Sequence, residues 1–425
     1  MARRTKKARC KEKDRISKLP DELIHQIMRF IDTRSAVQTS VLSKRWKLLW
    51  TTLPFLNFNS YDKYYYPNKL AFYNTHKRVF ADRNHEYQIL QLDLHPPIGL
   101  TARKLQKYVK YATSHHVERM NIRSYRYCSL STFNSSSLCE LKLTMNFETF
   151  KVMKLDCWSL PNLNTLTLKS YSHKKSCQLP IICLMCLPAL TTLVLNRCVL
   201  PDSFGLPNLK TLCLESCNLP KKVWDFPALL TLQLSNVRFP VDFGEYILAL
   251  GSLRNLEIDF GNNDIGCNCE ISSSQLVNLK IRAILNDANA IKGKIVVWAP
   301  KLCNFSAVGF FWATLKGCDE LKRVNIKFWD RTMYPSKRTP SWVLKLHRDL
   351  FETMFSELGS AEILSVDLVI LQALSEISEI LDQLYSPFYN MKYLRLPRGC
   401  EESYISRSVR RYLLGRSPSA TIVKT

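Results

Sequence analysis

The sequence predicts a mixed α/β chain: a short helical head, then a long solenoid of stacked parallel strands closed by helical caps. Three observations predict it. The pattern L-x-x-L-x-L recurs through most of the chain, residues 15–58 depart from it, and apolar residues at helical spacing return beyond residue 330. A chain of 425 residues is too long for one compact core, so several domains or a repeat array is required. Hydrophobic residues make up 46% of it and only 12 positions are glycine, a composition that folds over most of its length.

The clearest copies of the pattern open at Leu138, Leu163, Leu190, Leu209, Leu229, Leu253, Leu276, Leu302 and Leu321, with 19 to 27 residues between successive starts. That is the spacing of leucine-rich repeats. Weaker copies open at Ile89, Val117, Ala361 and Met391. In each copy the last two apolar positions are two apart, so they share one face of a short strand, while the first closes the strand's entry. One unit cannot bury that face alone; stacked neighbours bury it together and line their strands into a parallel sheet along a curved inner wall. Leu160-Pro161, Leu187-Pro188, Leu206-Pro207, Phe226-Pro227 and Ala299-Pro300 place proline in the turn before a strand, where its missing N–H is harmless. The strand positions that point away from the core are the expected binding surface. Among them Glu215, Glu257 and Asp259 make its middle acidic, while Lys280, Arg282, Arg323 and Lys327 make its C-terminal end basic. A partner with complementary charged segments is therefore expected.

Cys198 and Cys217 fall eight residues after Leu190 and Leu209, a slot where a small polar side chain bonds the turn backbone. Cys183-x-x-Cys186 and Cys267-x-Cys269 lack the second pair that a zinc site needs, so no metal is expected. Helices are expected at Asn68–Phe80 and Thr101–Ala112. Others are expected along Trp342, Leu346, Leu350, Met354 and Leu358, along Ile370, Leu374, Ile377 and Leu381, and at Ser403–Leu414 as the terminal cap. The segment Asp330–Thr339 reads as an exposed loop.

In the head, Leu19-Pro20-Asp21-Glu22 opens a helix with proline and two carboxylates in its first turn. Leu23, Ile27 and Phe30 form one apolar stripe that Ile24, Met28 and Ile31 widen beyond the needs of a surface helix, so it packs on both sides or docks a partner. Thr33 is the expected cap of a second helix and Ser43 of a third, Lys44–Trp50. The stretch DRISKLPDELIHQIMRFIDTRSAVQTSVLSKRWKLLWTTLPFLNF resembles an F-box of the plant F-box/LRR type, and the ending SRSVRRYLLGRSPSATIV, Ser406–Val423, is similar to that family's ending. An FBD module, present in some relatives, is matched only over that last stretch.

The expected organisation is a basic disordered tail at 1–14, the F-box at 15–58, and linker helices with weak repeats at 59–116. Leucine-rich repeats follow at 117–330, then irregular repeats and capping helices at 331–425. The resemblance implies a specificity subunit of an SCF-type cullin–RING ubiquitin ligase. Its F-box would bind a small Skp-family adaptor and its repeats the protein to be ubiquitinated. Carried over by position, the adaptor contacts fall on Leu19, Pro20, Leu23, Ile24, Ile27, Leu42, Trp46, Leu49 and Trp50. Aromatic anchors dominate such interfaces.

The formal charge of +24 raises a second reading, a basic scaffold for nucleic acid. Residues 1–18 hold nine basic residues against Glu12 and Asp14, with no aromatics between them, which suits an import tag or a solvated tail better. No phosphate-binding glycine loop, dinucleotide fingerprint, H-E-x-x-H or G-x-S-x-G occurs, so neither catalytic residues nor cofactors are expected. The basic N-terminus is followed by no apolar run, and Leu179–Leu195, seventeen residues with no charge and the nearest thing to a membrane span, holds two prolines in phase with the repeat. The expectation is a chain of the nucleus or cytoplasm, off the membrane.

Overall fold

In the computed structural model the described residues are 16–59, 69–97, 101–124, 133–145, 158–171, 177–178, 187–200, 205–219, 225–237, 239, 243–261, 269–283, 294–309, 312–327, 354–400 and 405–424. The basic tail, Cys183, Cys186, Cys267, the Asp330–Thr339 loop and positions 342–350 of the helix expected along Trp342–Leu358 lie outside them, while Met354 and Leu358 are described and buried, with helix at 354–356. The chain divides into two compact units. One comprises residues 1–146 and 157–163, the other 147–156 and 164–425.

The first unit begins with three short helices, α1 (Asp21–Met28), α2 (Thr33–Gln38) and α3 (Trp46–Leu49). They close on a small core of Ile24, Met28, Ala36, Trp46, Leu49 and Leu53. The α2 cap is Asp32, one residue before the threonine expected from the sequence: its carboxylate accepts from Ser35 N at 2.9 Å. Thr33 is buried and used differently, its hydroxyl accepting from Asn57 N at 2.7 Å. Ser43 does cap the third helix, accepting from Trp46 N at 3.3 Å, but regular helix starts only at Trp46.

Then β1 (Phe55–Asn59), α4 (Lys69–Asp82), β2 (Gln91–His95), α5 (Ala102–Ser114), β3 (Arg119–Ser124) and β4 (Glu140–Met145) alternate. The strands pair in parallel, β1 with β2, β2 with β3 and β3 with β4. Parallel neighbours need a crossover of this length, and the two helices supply it. The junction of head and sheet is tied by Arg83, whose guanidinium donates to the carbonyls of Leu53 (3.1 Å), Tyr87 (2.8 Å) and Gln88 (3.0 Å).

In the second unit the strands are β5 (Thr165–Ser170), β6 (Cys177–Gln178), β7 (Thr192–Asn196), β8 (Cys198–Val199), β9 (Thr211–Glu215) and β10 (Thr231–Ser235). After helix α6 (Phe243–Ala249) come β11 (Asn255–Asp259), β12 (Cys269–Ser272), β13 (Asn278–Ala283), β14 (Lys294–Trp298), β15 (Asn304–Gly309), β16 (Trp312–Lys316) and β17 (Arg323–Lys327). The C-terminal part adds β18 (Ile363–Val366), α7 (Leu368–Glu376), α8 (Ser378–Leu381), β19 (Tyr393–Leu396), α9 (Arg407–Leu414) and β20 (Thr421–Lys424).

The main parallel sheet of this unit runs β5, β7, β9, β10, β11, β13, β15, β17, β18, β19, β20, and a smaller sheet pairs β12, β14 and β16. Each repeat strand opens two residues after the first residue of its sequence pattern: Leu190 and Thr192, Leu276 and Asn278, Ala361 and Ile363. The register is conserved across pairs, Thr192 against Thr211 and Thr211 against Thr231, so equivalent leucines stack. All nine opening leucines of the clear copies are buried. Each is worth about 1.5–3 kcal/mol when fully buried, which is why the period survives uneven loops.

The C-terminus departs from expectation in two ways. The 370s helix breaks at Ile377 into α7 and α8, and the last element is a strand: β20 extends the sheet beyond β19, with α9 before it. Ser406 caps α9, its hydroxyl accepting from Val409 N.

Candidate interaction surfaces

Helix α1 carries two stripes of opposite fate. Ile24 and Met28 enter the small core, while Leu23 and Ile27 face solvent on the other side, joined by Phe30 in the turn just after the helix, at 88% exposure. Val41 (85% exposed), Leu42 and Leu48 add further open apolar surface from the turn between α2 and α3 and from α3 itself. So many large apolar side chains left in water within one small helical unit mark a docking surface. Its frame is fixed by Arg45, which pairs with Asp21 and donates to the Leu19 carbonyl, and by His25, whose Nε2 stands 3.1 Å from Leu49 O. Both ties join α1 to α3.

Of the nine adaptor contacts expected from the sequence, Pro20, Leu23, Ile27 and Leu42 are exposed, and Leu19 and Trp50 are half-buried. Ile24, Trp46 and Leu49 are interior. Trp46, at 5% exposure, is a core residue rather than an anchor held out to a partner. The apolar spacing of a short helix cannot say which of its two stripes turns inward. Phe30, Val41 and Leu48 were not among the expected contacts; Phe30 belonged to the stripe the sequence did single out.

On the repeats, the outward side chains form ladders from strand to strand. Thr231 Oγ1 accepts from Asn255 Nδ2 (3.0 Å), Asn255 Oδ1 from Asn278 Nδ2 (2.5 Å), and Asn278 Oδ1 from Asn304 Nδ2 (2.6 Å). A parallel row joins Cys213 to Gln233 (3.0 Å), Gln233 to Glu257 (3.3 Å) and Glu257 to Lys280. The acidic middle is therefore neutralised from within. Glu257 pairs with Lys280, Asp259 with Arg282 at 3.8 Å, and Glu215 with Lys169 at 3.9 Å. These pairs are partly exposed and each contributes at most about 1 kcal/mol, but each sets a base beside an acid, and Lys280 and Arg282 of the basic end are the partners of Glu257 and Asp259. Arg323 and Lys327 are exposed and, among the described residues, pair with no carboxylate. Thr167, outward by its register with Val194, is buried and offers nothing to a partner.

The thiols belong to the repeat frame. Cys217 Sγ lies 3.4 Å from Glu215 O and accepts from Cys198 N at 3.4 Å; bonding to Cys198 holds its pKa below the usual thiol value despite burial. Cys269 packs into the interior of β12. Among the described residues no group of His, Cys, Asp and Glu is arranged to hold a metal ion, and no helix is long and apolar enough to cross a membrane.

Residues 16–58 match the F-box domain family. Across the longer chain the relatives are plant proteins. An FBD-associated F-box protein of Arabidopsis thaliana is 31% identical over 52% of this chain and 55% of its own length. An F-box/FBD/LRR-repeat protein of the same plant is 26% identical over 68% of this chain and 75% of its own length. An F-box/LRR-repeat protein is 29% identical over 43% of this chain and 52% of its length. The chain carries an F-box and is similar over two thirds of its length to plant F-box/LRR-repeat proteins. Its match spans about half the length of the first and third of these relatives and three quarters of the second. The F-box coincides with α1 to α3 and β1, so the exposed stripe of Leu23, Ile27 and Phe30 is an F-box surface, and the outward ladders belong to its LRR sheet.

Proposed function

We propose that this F-box/LRR protein is the substrate-recognition subunit of an SCF-type ubiquitin ligase, joined to the complex through a Skp-family adaptor on its F-box and to the target through the outward face of its repeats. The observation that carries the reading is the exposed apolar stripe of Leu23, Ile27 and Phe30 within a segment that matches the F-box family. A helix would not keep that stripe open to water without a partner to cover it. The role is non-catalytic: the chain supplies proximity, holding a substrate lysine near a thioester carried by other subunits. The basic run before the F-box fits a nuclear-import segment, and the site of action is the nucleus or cytoplasm.

Co-purification with a Skp-family adaptor tests the reading. Ile27→Asp with Phe30→Asp changes only exposed positions, so the chain folds normally and adaptor recovery drops at least tenfold. Trp46→Ala is unsuitable for this purpose, since it opens the core and reports on folding. Full adaptor recovery by the folded double variant would refute the assignment.

A further inference from the structure

The outward face of the second unit holds a groove whose charge the ion pairs do not cancel. Two depressions share Lys280, Ser306, Asn325, Ser365 and Arg395 and so run into one another across β10 to β19. The first, of about 520 Å³, is lined by the hydroxyl and amide ladder of Thr231, Asn255, Asn278 and Asn304. The second, of about 740 Å³, is walled by Lys280, Arg282, Lys327, Arg395 and Arg398. Lys280 and Arg282 are engaged by Glu257 and Asp259. Lys327, Arg395 and Arg398 have no carboxylate partner among the described residues. The acidic side chain lining this second part, Asp367, is committed to the start of α7, accepting from Ile370 N at 2.9 Å. Cations held in a concave wall concentrate their field on whatever enters.

Size and chemistry narrow the occupant. The strands from β10 to β19 lie about 4.8 Å apart, so the groove is about 29 Å long, the reach of roughly eight or nine extended residues. The basic part contains no aromatic side chain on which a nucleobase could stack, and the other part presents amides that match a polypeptide backbone. We propose that the groove seats an extended anionic segment of the selected protein, with carboxylate or phosphate side chains over Lys327, Arg395 and Arg398 and small polar residues over the asparagine ladder. The proposal rests on the substrate-recognition reading and deepens it. It also replaces the two-signed partner expected from the sequence with one whose charge is negative at one end only.

Fluorescence anisotropy with the full chain tests it. The probe is a labelled nonapeptide with Ser, Asn and Gly in its first four places and Glu or Asp in the rest, alongside a version with phosphoserine at two acidic places. At least one of the two peptides binds, in a salt-sensitive manner, and the tighter one identifies the source of the charge. Lys327→Glu with Arg395→Glu weakens that binding at least tenfold, whereas Lys301→Glu, exposed but outside the groove, leaves it unchanged. Equal binding by the double variant, no binding of either peptide, or tighter binding of a single-stranded DNA nonamer would overturn the proposal. Adaptor recovery measured on the same preparations separates the two ideas. If the unmodified chain recovers adaptor but binds neither peptide, only the groove is sunk; if it binds peptide but recovers no adaptor, only the ligase reading is sunk.

Discussion

Arg83 ends among three carbonyl oxygens rather than beside a carboxylate, and burial lowers its pKa despite the neighbouring Tyr111. Nothing in the spacing of the sequence singles it out, because a buried arginine reads like any surface arginine until its backbone partners are known. His76 and His95 were hidden in the same way. His76 packs against Phe58, Phe72 and Tyr108, and desolvation lowers its pKa to about 3. His95 is lowered to about 4, first by desolvation and then by the charge of Arg123, with Asp93 opposing. Each histidine titrates near 6.5 in the unfolded chain, so the unfolded state binds more protons at lower pH. Their stabilising contribution is complete above about pH 6.5 and is lost as the pH falls towards 4 and then 3. The melting temperature of the first unit should therefore fall between pH 7 and 4.5, and His76→Phe should flatten that slope. Identical slopes for the two chains by scanning calorimetry would count against this account.

Among the elements, the main strands were legible because each needs two leucines two apart, and a wrong register would put both in water. Even weak copies such as VERMNI, from Val117, opened a strand at the same offset of two residues. The small sheet of β12, β14 and β16 was not legible. Its strands, CEIS, KIVVW and WATLK, each bury two residues two apart, Cys269 and Ile271, Ile295 and Val297, Ala313 and Leu315, but no leucine opens them and no L-x-x-L-x-L frame marks them in the sequence. The F-box was legible as a unit but not in its facing, since both stripes of α1 are apolar and only the packing of Trp46 and Leu49 chooses between them. Gly309, at the end of β15, has φ +105°, and a Cβ there would stand 1.8 Å from the carbonyl oxygen of Ala283 on the paired strand. Gly309→Ala should cost about 3 kcal/mol or more and open that end of the β13–β15 pair, visible as faster amide exchange at Ala283 and Val308. Unchanged exchange and stability would show that the backbone yields there without cost.

For the chain as a whole, the large positive charge is not spread evenly in effect. Across the LRR sheet Glu257 and Asp259 pair with bases on the adjacent strand and Glu215 with Lys169 two strands away, so the positive charge without such a counter-ion lies beyond them. Counting residues along the sequence shows the signs but not the pairing, which arises only when repeats about twenty residues apart are laid side by side. The fixed offset has a further consequence. Thr211 and Thr231 occupy equivalent places, so excising the twenty residues 211–230 brings the β10 sequence into the position of β9. Stability in such stacks is close to a sum of neighbour terms. The excised chain should melt cooperatively within a few degrees of the parent, whereas removing only 211–220 should abolish the transition; equal loss in both would deny the equivalence. A frame that gains or sheds whole turns in this way lets a lineage lengthen or shorten the outward face of its repeats by about 4.8 Å at a time, with the F-box sequence untouched. A change in that face then needs no new fold, only unequal crossing-over between like segments of one gene.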